Sequence, residues 1–139
     1  KKKIQLFVEK LTGINNLMLK DKPVFKEIAD DIYDFTKDSV FVAHNVNFDF
    51  RVLKNEFSHI GKNFNRDLLC TIELSKQVFP EMKYYSLGKL VSNLGIKIKN
   101  RHRADGDAKA TLDLFILLKS KMSQKELDKY IKKSKWVNF

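Results

Sequence analysis

Two short apolar runs constrain this chain more than any other feature: Val40-Phe41-Val42-Ala43 and Leu68-Leu69-Cys70-Thr71, each followed at once by an apolar pattern of helical period. A brief run of strand formers without polar alternation suits a strand buried on both faces of a parallel sheet. After the first run, the stretch Phe48 to Phe57 carries Val52, Leu53 and Phe57 at helical spacing and stops at Gly61, a natural helix terminator. After the second, a helix through Leu74 and Val78 halts at Pro80, whose ring cannot continue it. Strand alternating with helix predicts an α/β fold.

Further helices follow the same logic. Asp21-Lys22-Pro23 opens a helix near residues 23 to 36, with proline preorganised for the first position and Phe25, Ile28, Ile32 and Phe35 as the apolar stripe. Ser86 is a candidate cap for a helix carrying Leu87, Leu90, Val91 and Leu94 that ends at Gly95, with Ile96 and Ile98 in the loop beyond. From Asp107 to about Met122, the residues Ala108, Thr111, Leu112, Phe115 and Leu118 mark a long amphipathic helix. Ser123-x-x-Glu126 is a capping box for a short basic helix. The chain therefore divides into a main unit over residues 1–122 and a basic tail helix over 123–139, without internal repeats or low-complexity tracts.

With 139 residues, 43% of them hydrophobic, one modest core is within reach. The longest apolar runs, such as Leu114 to Leu118, fall far short of the roughly 20 residues a membrane helix needs, and the basic start Lys1-Lys2-Lys3 leads into no signal-peptide core. The expectation is a soluble cytoplasmic protein. Cys70 is the single cysteine, which excludes an intrachain disulfide and a cysteine zinc cluster. The net charge of +10 points to a polyanionic partner, nucleic acid first, through counterion release from neutralised phosphates. Lysine enrichment for solubility explains the same charge equally well, so charge alone decides nothing.

Two polar patterns sit at element boundaries: His44-Asn45-Val46-Asn47-Phe48-Asp49 between strand and helix, and His102-Arg103-Ala104-Asp105-Gly106-Asp107 at a helix start. Open α/β sheets bind ligands beyond the carboxyl ends of their strands, and a carboxylate fixed at such a boundary suits a hard cation. Taken singly, Asp49 and Asp107 read as ordinary helix-start residues favoured by the helix dipole, His44 and His102 as hydrogen-bonded histidines, and Asn45 as a turn residue. His59 has no supporting pattern. The paired arrangement is far more specific than its parts.

His44-Asn45-x-x-Phe48-Asp49 resembles the second exonuclease motif of the DEDDh family of 3′→5′ exonucleases, and His102-x-Ala104-x-x-Asp107 resembles the third, in matching order and separation. Leu11-Thr12-Gly13-Ile14, Lys22-Pro23, Tyr85-Ser86-Leu87, Leu94-Gly95-Ile96 and Arg101-His102-Arg103-Ala104 extend the likeness to about Lys119 and resemble the epsilon-type proofreading exonucleases of DNA polymerase III. The resemblance implies an RNase H-like fold and two divalent ions, Mg²⁺ or Mn²⁺, that activate water and stabilise the leaving 3′ oxygen. By position it makes Asp49 and Asp107 metal ligands and His102 the general base, the side chain most often used to take a proton from an attacking water. It also implies substrate contacts from Thr12, Gly13, Ile14, His44, Asn45 and Phe48, a single-stranded DNA 3′ end as substrate, and a polymerase subunit as a candidate partner.

The family's first motif, an Asp-x-Glu on an opening strand, has no counterpart in residues 1 to 139. The expectation is a fold incomplete at its amino terminus, lacking the first three strands, with helices packed on a small parallel sheet remnant and a metal site only partly supplied. Two rival readings follow: a non-catalytic nucleic-acid-binding or scaffold module of the same fold, and an RNA-trimming exonuclease of the same superfamily.

Overall fold

Leu68 and Leu69 are neighbours in the chain, both almost completely buried, and they enter different cores. That alternation is the period-2 geometry of a strand with both faces covered. The computed structural model describes residues 3–99 and 102–134, and its elements run α1 (Leu6–Thr12), α2 (Phe25–Phe35), β1 (Val40–Ala43), α3 (Val46–His59), β2 (Asp67–Cys70), α4 (Thr71–Val78), α5 (Leu87–Asn93), α6 (Ala104–Ser120), α7 (Gln124–Asp128) and β3 (Lys132–Lys133).

The two expected strands pair in parallel, Val40 with Asp67 through Ala43 with Cys70. The sheet is nevertheless mixed and three-stranded in the order β1-β2-β3, because Lys132 and Lys133 add antiparallel to Leu68 and Asp67. The expected purely parallel two-stranded remnant is thus corrected, and β2 is an inner strand. Its outer side is secured by the Lys133–Asp67 ion pair at 2.6 Å and by the Arg66 amide, which donates to Ser134 Oγ at 3.0 Å. The tail expected as one basic helix consequently splits: α7 forms with its capping box at Ser123 and Glu126, buries Leu127, and gives way to β3. Residues 135–139 of that expected helix lie outside the described residues.

One core lies between the sheet and α2 and α3, built from Ala29, Val46, Phe50, Phe57, Phe64 and Leu68. Phe57 and Phe64 stack with centroids 4.4 Å apart, and Phe25 meets Phe57 edge-on at 5.0 Å. The other core joins Leu69, Leu74, Leu90, Val91, Leu114, Leu118 and Leu127. Helix α2 begins two residues after Pro23, with Val24 as its cap residue, and Phe35 at its far end stays 90% exposed. Ser86 occupies the expected cap position of α5 without a side-chain capping bond.

Helix α6 begins at Ala104, three residues before the expected start, so Asp107 lies inside the first turn; its amide donates to the Arg103 carbonyl at 3.0 Å. The buried face of α6 is Gly106, Ala110, Leu114 and Leu118. Of the residues expected on that stripe, Leu118 alone is fully buried, while Leu112 is 49% exposed. The helix carries apolar residues on two faces, and a periodicity argument sees only their sum. Among the described residues, no helix is long and apolar enough to cross a membrane.

Candidate active site

At the carboxyl end of β1 the chain turns sharply into α3 through Asn45, which takes a left-handed conformation with φ 73°. Asparagine tolerates that region better than most residues, and the turn places Asp49 in the first turn of α3. His102 also has a positive φ, 66°, immediately before α6. A non-glycine residue held there is locally strained, and such strain gathers at functional sites.

Both segments open onto one cavity of about 850 Å³. His44 and Asp49 come from the β1–α3 junction, His102 and Asp107 from the entrance to α6. Phe41, Leu87, Leu112 and Phe115 are among the apolar residues that complete the lining. A largely apolar cleft with a few convergent ionisable groups is the usual form of a small-molecule or substrate site.

His44 is anchored on both sides of its ring. Nε2 is 2.7 Å from the Tyr85 carbonyl, and since a carbonyl only accepts, Nε2 carries the proton. Nδ1 then accepts from the Thr71 hydroxyl at 2.9 Å. Burial lowers the His44 pKa from its ordinary value, against the opposing effects of the Tyr85 carbonyl and the Asp49 carboxylate. Asp49 is shifted the other way. Its carboxyl group is partly enclosed, and this desolvation raises its pKa although its own backbone amide and His44 pull it down.

Of the residues implicated by sequence, His44, Asp49, His102 and Asp107 therefore share the cleft, whereas Thr12, Gly13, Ile14, Asn45 and Phe48 do not line it. Thr12 closes α1, its hydroxyl donating to the Val8 carbonyl at 2.8 Å and accepting from the Ile14 amide at 3.1 Å. Gly13 backs onto the segment beside His102: a methyl group on its Cα would lie 3.9 Å from Arg103 Nη1. Phe48 is 55% exposed next to the cleft. Of the residues that sequence reasoning assigned to packing, Thr111 and Leu112 form cleft wall, and Phe115 both lines the cleft and packs against the core. Arg101 lies outside the described residues.

The donors are hard oxygens of the kind Mg²⁺ and Mn²⁺ prefer. Two carboxylates are fewer than a pair of ions requires, and among the described residues no group of three or more His, Cys, Asp or Glu side chains is placed to hold a metal.

The fold is of the RNase H-like class, and the sequence agrees. A model of the exonuclease family (RNase_T) matches residues 1–115, and the chain belongs to that family. It is 37% identical over 121 residues to a PolC-type DNA polymerase III of Caldanaerobacter subterraneus subsp. tengcongensis, covering 87% of this chain and 9% of that protein. It is 42% identical over 123 residues to the 3′-5′ exonuclease DinG of Staphylococcus epidermidis and 40% identical to that of Staphylococcus aureus, covering 88% of this chain and 14% of each relative. The chain thus spans about a seventh or less of the length of these relatives. Among solved structures, exonuclease X in complex with 5′ overhanging duplex DNA superposes with a TM-score of 0.66 at 23% identity, over 94% of this chain and 75% of that one, a likeness of fold.

Proposed function

We propose that this chain is part of the catalytic domain of a metal-dependent 3′→5′ exonuclease that removes single nucleotides from DNA 3′ ends, in proofreading or repair. The observation that carries the reading is the convergence of Asp49, His102 and Asp107, from two separate segments, on one cleft. His102 is the general base: it is exposed and lines the cleft, where its imidazole would take a proton from an attacking water. Asp49 and Asp107 are the ligands this chain offers to a divalent ion. Such an ion, when bound, supplies charge neutralisation and Lewis-acid polarisation of the phosphate. Two carboxylates by themselves do not complete such a site.

His44, with both ring nitrogens engaged, positions the β1–α3 junction against the Tyr85 loop. Leu87, Leu112 and Phe115 offer an apolar wall for the terminal base and sugar. Phe48, exposed beside Asp49, is a stacking surface for the next base, and Asn45 and Thr12-Gly13-Ile14 contact the strand from outside the cleft. A PolC-type polymerase among the relatives makes a polymerase assembly the candidate protein partner.

A second reading, a nucleic-acid-binding module without catalysis, is favoured by the shortage of carboxylates. The test is the shortening of 5′-labelled single-stranded DNA by the full-length protein with Mg²⁺ or Mn²⁺, beside an RNA of the same sequence. Stepwise loss from the 3′ end is expected, stopped by chelator and by Asp107→Ala, and slowed about 10²–10⁴-fold by His102→Ala. Unchanged trimming in Asp107→Ala overturns the site assignment, and no trimming by the wild type leaves the binding module. Preferential trimming of the RNA overturns the DNA assignment.

A further inference from the structure

Between Glu81 and Asp105 the chain contains no acidic residue but six cations, Lys83, Lys89, Lys97, Lys99, Arg101 and Arg103. This stretch of 23 residues therefore accounts for six of the net +10, and the remaining 21 lysines and arginines face 17 acids elsewhere. The fold gathers much of it on one surface. Lys83, Tyr84 and Lys89 line a hollow of about 490 Å³, and Lys97 and Lys99 line a second of about 590 Å³. Ser92 borders both hollows, and Gly88 borders both and the active-site cleft as well, so the three are continuous around the start of α5.

The side chains are disposed for a ligand. All four lysines and Tyr84 are exposed. The ion pairs found among the described residues use Lys62, Lys109, Lys132 and Lys133, none of this group. Lys89 Nζ stands 3.8 Å from the centroid of the Tyr84 ring and Lys83 Nζ 5.3 Å from it, so both ammonium groups are held by the ring's negative face instead of by carboxylates. An aromatic ring set among unneutralised lysines is the composition of surfaces that bind single strands, where phosphates take the cations and a base takes the ring. An arriving base displaces the ammonium from the ring face, and that ammonium then pairs with the adjoining phosphate.

We infer that the Lys83, Tyr84, Lys89, Lys97 and Lys99 surface is a track for the single strand leading away from the 3′ end held in the cleft, with Tyr84 as its stacking platform. The inference rests on the nuclease reading for the direction of the strand. The contact itself does not require cutting. Duplex DNA fits less well, since its bases are not free to stack on Tyr84, and an acidic protein or membrane surface offers charge but no base.

The test is binding, measured by fluorescence anisotropy with the full-length protein in chelator, so that catalysis plays no part. The probes are single strands of about 4 and about 16 nucleotides, a blunt duplex, a circular single strand and anionic vesicles. Lys83→Ser with Lys89→Ser is expected to reduce the salt slope for the long strand by about 1.4, at about 0.7 per phosphate contact. Tyr84→Ser is expected to weaken it about fivefold or more. Neither variant should change affinity for the shortest strand, which the cleft alone accommodates. Loss of affinity for the duplex or the vesicles equal to that for the long strand overturns the track, as does an unchanged long-strand affinity. If circular and linear strands bind equally and both depend on Lys83, Tyr84 and Lys89, the track stands and the 3′-end reading of the cleft fails. Unaltered melting curves for these surface variants exclude unfolding as the cause.

Discussion

His44 Nε2 donates to the carbonyl oxygen of Tyr85 across 2.7 Å, tying a residue of the cleft lining to one 41 positions further along the chain. Folding favours the neutral ring, because burial lowers its pKa below the ordinary value of 6.5. The unfolded chain therefore binds the proton more readily, and stability rises with pH through this window. As pH falls through about 6.5 towards the lower folded value, the wild type should lose stability, and His44→Gln should lose less. Urea unfolding across that range measures it. Parallel slopes for the two proteins would mean that His44 is not the group responsible.

Asp49 carries the opposite sign. Its pKa is raised by partial enclosure, so its contribution to stability is full below the unfolded value and is lost as pH rises through the folded value. At neutral pH, without divalent ions, Asp49→Asn should thus be at least as stable as the wild type. Adding Mn²⁺ should raise the melting temperature of the wild type in proportion to ligand binding to the folded state, and should do so much less in Asp49→Asn and Asp107→Asn. An identical rise in all three proteins would place the ion elsewhere.

Leu114 and Leu112 test the two faces of α6. Leu114 is fully buried, so Leu114→Ala should cost about 2–5 kcal/mol of unfolding free energy. Leu112 is half exposed in the cleft wall, so Leu112→Ala should change stability by about 0.5 kcal/mol or less while weakening binding of the terminal nucleotide. Denaturant titration separates them, and equal losses would show that the buried face is misassigned.

The carboxylate count makes a prediction for the 139-residue chain taken alone. With Asp49 and Asp107 as the acidic residues of the cleft, it should trim DNA poorly even in Mn²⁺. Efficient 3′ trimming of an end-labelled strand, abolished by His102→Ala to exclude a contaminant, would show that two carboxylates suffice.

Much of this architecture is legible in the sequence, for reasons that differ by element. Strands β1 and β2 are uniform apolar runs because both faces are covered, which is why Leu68 and Leu69 read as strand without alternation. Asp49, His102 and Asp107 were legible as paired motifs at element boundaries. Strand β3 was not: two lysines following a short helix carry no apolar pattern, and their pairing depends on the open side of β2 and on Asp67 and Glu73, which sit far back in the chain. The cleft wall was hidden for another reason. Thr111 and Leu112 are apolar or small at helical spacing, like the core residues beside them, and only the rotation of α6 turns them to the cleft, while Phe115 serves both sides. His44 likewise gives no local sign that its ring is held by Thr71 and Tyr85.

Gly106 and Ala110 lie on the enclosed side of the same helix whose opposite flank borders the cleft. Ala110 is 1% exposed, with a single methyl group filling its place. A bulkier residue there has nowhere to go except by lifting α6 outward, since close-packed interiors transmit volume changes instead of absorbing them. The width of the cleft is therefore coupled to the size of a side chain on the enclosed side of α6, and a change in the shape of the cleft need not begin at the residues that line it.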